Sequence, residues 1–334
     1  MEALELIHRQ QFQITLKSVS LRQLMLFTHA PCALYVYERG EYITLFNKGE
    51  SLTKKLIHDL ITGGQINVYC KKNQLELFHR KVEKDLLHLS RALSSGQPYK
   101  NAMKLLNLLT LNFEVLYKKP FNSEALLLQY KSLLNLKQFL ENNPRYIKKL
   151  YNEYKKQQFP YIFSQPILSS LILLAYLLKT SIYSSKETEE AFIASMFKDL
   201  GMAIVPDETR YQKRLQVEYK SLIAQHPQHS YQIIKNKIPL SKHWMRAITN
   251  HHALSAKIQG AKVNYRINNH NSVLVGFETV LLGFFDVFTA MTSDRPYRNN
   301  LIQFKALDEI KEAMNPVYKA EFNSFVKFLF NFFN

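Results

Sequence analysis

A single carboxylate inside an apolar stretch most constrains how this chain folds. Residues 281–298 read LLGFFDVFTAMTSDRPYR, and Asp286 is the only charged residue in the apolar first part of this stretch. Burying an isolated carboxylate costs several kcal/mol, so Asp286 requires a cation, a metal ion or an arginine opposite it. Arg295 and Arg298 follow on either side of a proline, at a predicted turn. Two guanidinium groups near a buried carboxylate favour a phosphate-binding site.

The composition is typical of a globular protein that carries excess positive charge. Of the 334 residues, 46% are hydrophobic and 21% are charged, and only 9 are glycine, which disfavours glycine-rich phosphate loops and large β-barrels. The net charge of +17 predicts affinity for anions such as nucleotides, nucleic acid or an acidic membrane surface. A basic surface that only contacts water is the alternative.

Cysteine content and hydropathy predict a cytoplasmic protein. Cys32 and Cys70 are too few for a disulfide framework, which indicates a reducing compartment. The first residues, MEALELIHRQQFQI, lack the apolar core of a signal peptide. The longest apolar run, Ile167–Leu178, is shorter than the roughly 20 residues of a membrane-spanning helix. We therefore predict a buried helix there and no transmembrane segment.

The hydrophobic pattern predicts a mainly α protein in three parts. Residues 1–80 are predicted to form a small N-terminal α/β domain, which serves as a sensory or docking module or only as a folding scaffold. Residues 81–158 are predicted to form a helical connector of three or four helices. The connector either couples its neighbours, forms a homodimer, or merely packs as a bundle. Residues 159–334 are predicted to form an all-helical domain.

Turn residues and periodicity place the elements of the α/β domain and the connector. A helix over Ser51–Ile61, capped by its serine, is predicted between strands over Ala33–Tyr37, Tyr42–Phe46 and Gln65–Cys70. Connector helices are expected to break at Ser94-Ser95-Gly96, at Lys119-Pro120 and at Asn142-Asn143-Pro144.

The C-terminal domain is predicted to contain helices separated by polar breaks. One begins near Ser164 with a proline in its first turns, and one runs from Ser185 to a glycine C-cap at Gly201. Another begins at His226 ahead of a proline. Further helices are expected over 242–254, 302–314 and 316–333, while Val263–Val275 is a loop or a short hairpin.

Polar residues interrupt this helical pattern in four places and suggest a metal centre. Two carboxylates and three histidines on different helices are suitable ligands for one divalent ion such as Fe, Mn or Zn. These residues are Asp199, His226, His251, His252 and Asp286. The alternative is that each histidine only caps a helix or lies on the surface, in which case no metal is bound.

The order and spacing of these segments resemble the HD-GYP family, bacterial phosphodiesterases of cyclic di-GMP within the wider HD superfamily. The matching segments are KDLG, HPQHSYQII, NHHA and FFDVFTAMTSDRPYR, within about 160–315. The resemblance implies that Asp199 bridges two metals and that Asp286 closes the first site. It also implies that the three histidines serve the second site, and that Arg295 and Arg298 engage the phosphate of the ligand.

The chain departs from the family pattern at positions that carry chemistry. Lys198 replaces the histidine of the HD pair, and Met202 replaces the lysine that follows. Gln165 stands where the first metal histidine is expected, and Ala253 replaces a glutamate. The sequence SAKIQGAKVNYRINNH replaces the Gly-Tyr-Pro loop. We expect the Lys198 ammonium to substitute for a missing cation by pairing with Asp199 or Asp286.

Three interpretations follow from the resemblance and these departures. The first is a degenerate HD-GYP protein that binds cyclic di-GMP, a related nucleotide or a signalling protein, with weak or no hydrolysis. The second is an active metal-dependent phosphodiesterase. The third is a purely structural or docking protein in which the remaining histidines have no chemical role. No residue is assigned a catalytic role, because Lys198 and Met202 replace the family's histidine and lysine.

Overall fold

A computed structural model describes residues 15–157, 159–206, 217–259, 276–294, 300–314 and 317–334. The chain forms two compact units, Met1–His88 and Leu89–Asn334. The helices over most of the predicted connector belong to the same unit as the C-terminal helices. The division into three parts stays a prediction.

The first unit is built on a four-stranded antiparallel sheet. Its strands are β1 (Leu16–Ser20), β2 (Leu34–Glu38), β3 (Glu41–Phe46) and β4 (Asn67–Lys71), in the order β1-β4-β2-β3. The three predicted strands are present within two residues of their expected bounds. The sequence did not predict β1, because LKSVS contains only two strongly apolar residues and is too short to establish a period.

One helix, α1 (Lys54–Thr62), packs against this sheet through the buried Ile57. Its predicted serine cap is wrong: the N-cap is Thr53, whose side-chain oxygen accepts a hydrogen bond from the Leu56 amide at 3.2 Å. Cys32 and Cys70 are both buried in the same core, and they do not form a disulfide.

Helices make up the rest of the described chain, and the three predicted connector breaks fall between helices. The helices before residue 200 are α2 (Leu75–Arg91), α3 (Pro98–Lys118), α4 (Ser123–Asn142), α5 (Arg145–Lys155), α6 (Tyr161–Thr180) and α7 (Ser185–Phe197). Those after it are α8 (Val217–Ile234), α9 (Lys242–Asn250), α10 (Ala253–Ile258), α11 (Phe277–Met291), α12 (Gln303–Met314) and α13 (Lys319–Phe333). The mainly helical fold with a small N-terminal α/β part is therefore confirmed.

Three predicted boundaries among the C-terminal helices are also wrong, and these three lie beside the candidate site. Helix α7 ends at Phe197, and Gly201 lies in a short 3₁₀ helix over Leu200–Ile204 instead of capping α7. His226 lies well inside α8, which tolerates an internal proline. The helix expected over 242–254 divides into α9 and α10, with His251 and His252 between them. Each error arises because tertiary contacts there override local propensity.

The apolar run Ile167–Leu178 lies within α6, which is longer than the run itself. At 20 residues, α6 is the one helix of the described chain that is long and apolar enough to cross a membrane. However, 72% of its most apolar 18-residue window is buried inside the protein. The prediction of a buried helix over this run is therefore confirmed.

Candidate metal centre and its internal cation

Two histidines are held by backbone carbonyl groups that helices leave without a partner. The proline that follows His226 has no N–H, so it cannot bond to the Ile223 carbonyl four residues earlier. His226 Nδ1 lies 2.6 Å from that oxygen. His251 follows the last residue of α9, and its Nδ1 lies 2.7 Å from the Ile248 oxygen at the open end of the helix. A carbonyl only accepts hydrogen bonds, so Nδ1 carries the proton in both rings.

The other ring nitrogen of each histidine, Nε2, is therefore the atom available to a metal ion, and both Nε2 atoms face one carboxylate. His226 Nε2 and His251 Nε2 each lie 3.2 Å from Asp199 Oδ1. His252 Nε2 lies 3.2 Å from His226 Nε2. The ligand atoms of these four residues all lie within 4.8 Å of one another. A single metal ion placed among these atoms would be within reach of all four residues.

These residues fit a divalent metal ion. His251 Nε2 is buried and has no hydrogen-bond partner among the described residues, although Asp199 lies within reach. Histidines that bind metals usually donate their second nitrogen to a carbonyl, as His226 and His251 do. Three imidazoles and one carboxylate suit Zn, Fe or Mn. The cluster therefore can hold a metal ion, as the sequence predicted for these four residues.

His252 differs from the other two histidines in its electrostatic surroundings. Burial and the nearby His251 and His226 lower its pKa to about 3. His252 is therefore neutral at physiological pH, and a metal ion would not have to displace a proton from it. Its ring and Asp199 are only partly buried, so the cluster is reached from their side.

A buried lysine lies on the opposite side of Asp199. Lys198 is fully buried, with its Nζ 2.6 Å from Asp199 Oδ2 and 2.9 Å from Asp286 Oδ1. Asp199 thus directs one oxygen to the histidines and the other to the ammonium. Asp286 is 4% exposed, and Gln165 Nε2 donates to its Oδ1 at 2.7 Å.

This arrangement keeps all three ionisable groups charged. Burial alone would raise the pKa of both carboxyl groups, but the Lys198 charge outweighs it, and the pKa of Asp199 is held well below its usual value. His226 and His251 add to the effect at Asp199. Burial likewise disfavours the Lys198 ammonium, yet the two carboxylates raise its pKa. The predicted internal ion pair therefore exists, and it involves both carboxylates at once.

The structure thus divides the five predicted ligands into two groups. Asp199 and the three histidines form the cluster. Asp286 lies on the far side of the Lys198 ammonium, where it also accepts a hydrogen bond from Gln165. Asp199 lies at the start of the 3₁₀ helix, outside the helix from Ser185 to Gly201 in which the sequence had placed it. Arg295 and Arg298 lie outside the described residues, as does Val263–Val275.

The sequence did not reveal two neighbours that hold this site. Ser230 bonds to the backbone on both sides of Asp199, and the Tyr117 hydroxyl donates to the Asp199 carbonyl at 3.0 Å. Ser230 follows His226 by four residues, a spacing that puts both on one face of a helix. That signal was lost because the helix was expected to begin at His226. Nothing in the sequence connects Tyr117 with Asp199.

One solved structure resembles this fold along nearly its whole length. It is an HDG"Y"P protein from Bdellovibrio bacteriovorus, with a TM-score of 0.62 and 13% sequence identity. The similarity covers 94% of this chain and 99% of that one. No protein-family model and no curated protein sequence matches the chain. The chain therefore has an HD-GYP-like fold, which confirms the predicted resemblance at the level of the fold.

Proposed function

We propose that this protein is a degenerate HD-GYP-like regulator that binds a ligand or a partner and hydrolyses phosphodiesters weakly or not at all. The observation that carries the proposal is the Lys198 ammonium between Asp199 and Asp286. These are the two carboxylates that the family resemblance assigns to the first metal position. A cation supplied by the chain itself already compensates their charge, so a second metal ion has no role to fill there.

The remaining cluster would hold one divalent ion of the Fe, Mn or Zn type. Asp199, His226, His251 and His252 would be its ligands. Such an ion supplies Lewis acidity toward a phosphoryl oxygen. Asp286 would become a ligand only if Lys198 left it, because its Oδ1 is occupied by the ammonium and by the Gln165 amide.

The proposed ligand is cyclic di-GMP or a related nucleotide. The net charge of +17 favours the binding of an anion, and Arg295 and Arg298 would bind its phosphate. The proposal also includes a protein partner in the same signalling pathway and homodimerisation through the helices over 81–158. It places the protein in the cytoplasm.

Metal analysis and calorimetry test the proposal in sequence. Purified protein is expected to contain at most one transition-metal ion per chain, lost in the His251→Ala variant. Cyclic di-GMP should bind to the wild-type protein and more weakly to an Arg295→Ala, Arg298→Ala variant. Arg80→Ala, which changes an exposed arginine outside the cluster, is the control and should bind as the wild type does. Equal binding by all three proteins would eliminate the proposed phosphate site.

A working phosphodiesterase is the second candidate, and the convergence of three imidazoles on Asp199 favours it. The assay is turnover of cyclic di-GMP with added Mn²⁺ or Fe²⁺. Hydrolysis that disappears in Asp199→Ala would establish the enzyme and overturn the regulator. If neither metal nor nucleotide binds, the protein is structural or serves only as a docking partner.

A further inference from the structure

The turn that carries Asp199 is tied to helix α8 by a single buried hydroxyl group. Ser230 is fully buried on α8, and its Oγ accepts a hydrogen bond from the Gly201 amide at 2.7 Å. The same oxygen donates to the Lys198 carbonyl at 2.6 Å. Asp199 lies between these two residues, so both flanks of its turn are fixed to one side chain.

The turn and the helix approach each other too closely for a side chain at position 201. A Cβ atom on Gly201 would lie 2.0 Å from the His226 carbonyl oxygen and 2.5 Å from the Ser230 nitrogen. Backbone therefore packs directly on backbone, and the serine hydroxyl is the polar group that satisfies both turn atoms. Without it, a buried carbonyl and a buried amide lose their hydrogen bonds, which folded proteins rarely tolerate.

Helix α8 carries His226 one turn before Ser230. The serine therefore connects the carboxylate and a histidine of the same cluster through a short path of hydrogen bonds. Tyr117 adds a third attachment from α3, because its hydroxyl donates to the Asp199 carbonyl at 3.0 Å. The tyrosine is 5% exposed, and its ring contacts Phe163 edge to face at 5.0 Å, which fixes its direction.

We propose that Ser230 is a positioning residue that holds Asp199 Oδ1 against His226 and His251, with Tyr117 as a secondary support. The proposal rests on the proposed function only in taking the cluster as a metal site. Ser230 touches neither a metal ion nor a substrate, so it acts through Asp199. Groups that orient a metal ligand typically change metal affinity about 10–100-fold when they are removed.

The test compares Co²⁺ binding by the wild-type, Ser230→Ala and Tyr117→Phe proteins. Ser170→Ala is the matched control, since Ser170 is equally buried but its hydroxyl bonds to the Pro166 carbonyl within its own helix. We expect Ser230→Ala to weaken Co²⁺ binding by about 10–100-fold and to change the visible absorption of bound Co²⁺. Tyr117→Phe should weaken it less, and Ser170→Ala should leave affinity and spectrum unchanged. Wild-type affinity and spectrum in Ser230→Ala would overturn the proposal.

Two further measurements apply if Ser230→Ala does not fold or if the wild-type protein binds no Co²⁺. If Ser230→Ala does not fold, Tyr117→Phe decides: unchanged Co²⁺ affinity and spectrum in that variant overturn the positioning role, and weaker binding supports it. If the wild-type protein binds no Co²⁺, the metal part of the proposed function fails, and a metal-free crystal structure of Ser230→Ala decides the positioning role. Asp199 Oδ1 displaced from the two histidines supports the proposal, and Oδ1 still 3.2 Å from both overturns it.

Discussion

Removing the Lys198 ammonium should destabilise the protein strongly near neutral pH. In Lys198→Met the side-chain volume is nearly kept, but Asp199 and Asp286 lose their shared cation. Lys198 is fully buried, and the side chains of the two aspartates are only 15% and 6% exposed. Breaking such a buried pair by removing one partner costs about 3–5 kcal/mol, because a charge remains uncompensated. We therefore expect the free energy of unfolding to fall by about 3–5 kcal/mol at pH 7.5.

The sign of the pH dependence separates this explanation from a packing defect. In the wild-type protein the pKa of both carboxyl groups lies below the usual 3.8, so their stabilisation is present above that value and is lost only as pH falls through the folded-state pKa. In Lys198→Met the burial of two neighbouring carboxylates raises a folded-state pKa instead. Its stability should therefore rise on acidification from pH 7.5 to 5, whereas a cavity would cost the same at both values.

Urea unfolding at pH 7.5 and pH 5 measures both effects. Lys186→Met is the control, since it removes an exposed ion pair to Glu189 and should cost less than about 1 kcal/mol. Mn²⁺ that occupies the position vacated by the ammonium in Lys198→Met should add about 2.7 kcal/mol of stability at a concentration one hundred times the Kd of that position, a gain that the wild-type protein lacks. If Lys198→Met loses no more stability than Lys186→Met at pH 7.5, the ammonium is not the compensating charge and our reasoning about the site is wrong.

Three other predictions concern the same region. Gly201→Ala should lower the free energy of unfolding in urea by about 3 kcal/mol, because its Cβ would overlap the His226 carbonyl. Gly276→Ala is the control: its Cβ would meet only the end of the Glu278 side chain, so the loss of stability should be small. A Gln165→His, Lys198→His variant should bind two metal ions per chain by elemental analysis, and a stoichiometry unchanged from wild type would contradict the assignment of the ammonium to a metal position. His251→Ala should lose metal, while His243→Ala, on the exposed surface of α9, should keep it.

The sequence predicts the residue types of the site better than their local structure. The sequence predicts a cation beside Asp286 because an apolar helix cannot solvate a carboxylate. This prediction does not depend on which other elements the helix contacts. Lys198 was identified as that cation because it departs from a family pattern. The position of Asp199 was not predictable, since the end of α7 is set by the approach of α8 to Gly201, a contact between residues distant in sequence. Strand β1 was missed for a similar reason, because its pairing with β4 stabilises a segment that has little propensity of its own.

The proline after His226 has a consequence for any attempt to engineer this protein. Proline inside a helix costs about 3 kcal/mol relative to alanine, so a stability-directed redesign of α8 would select Pro227→Ala. The alanine amide would then compete with the imidazole for the Ile223 carbonyl, and the histidine ring would be free to change its tautomer or to turn away. Thermal stability and ligand geometry are therefore opposed at this one position, and a gain in melting temperature would be accompanied by a weaker metal site.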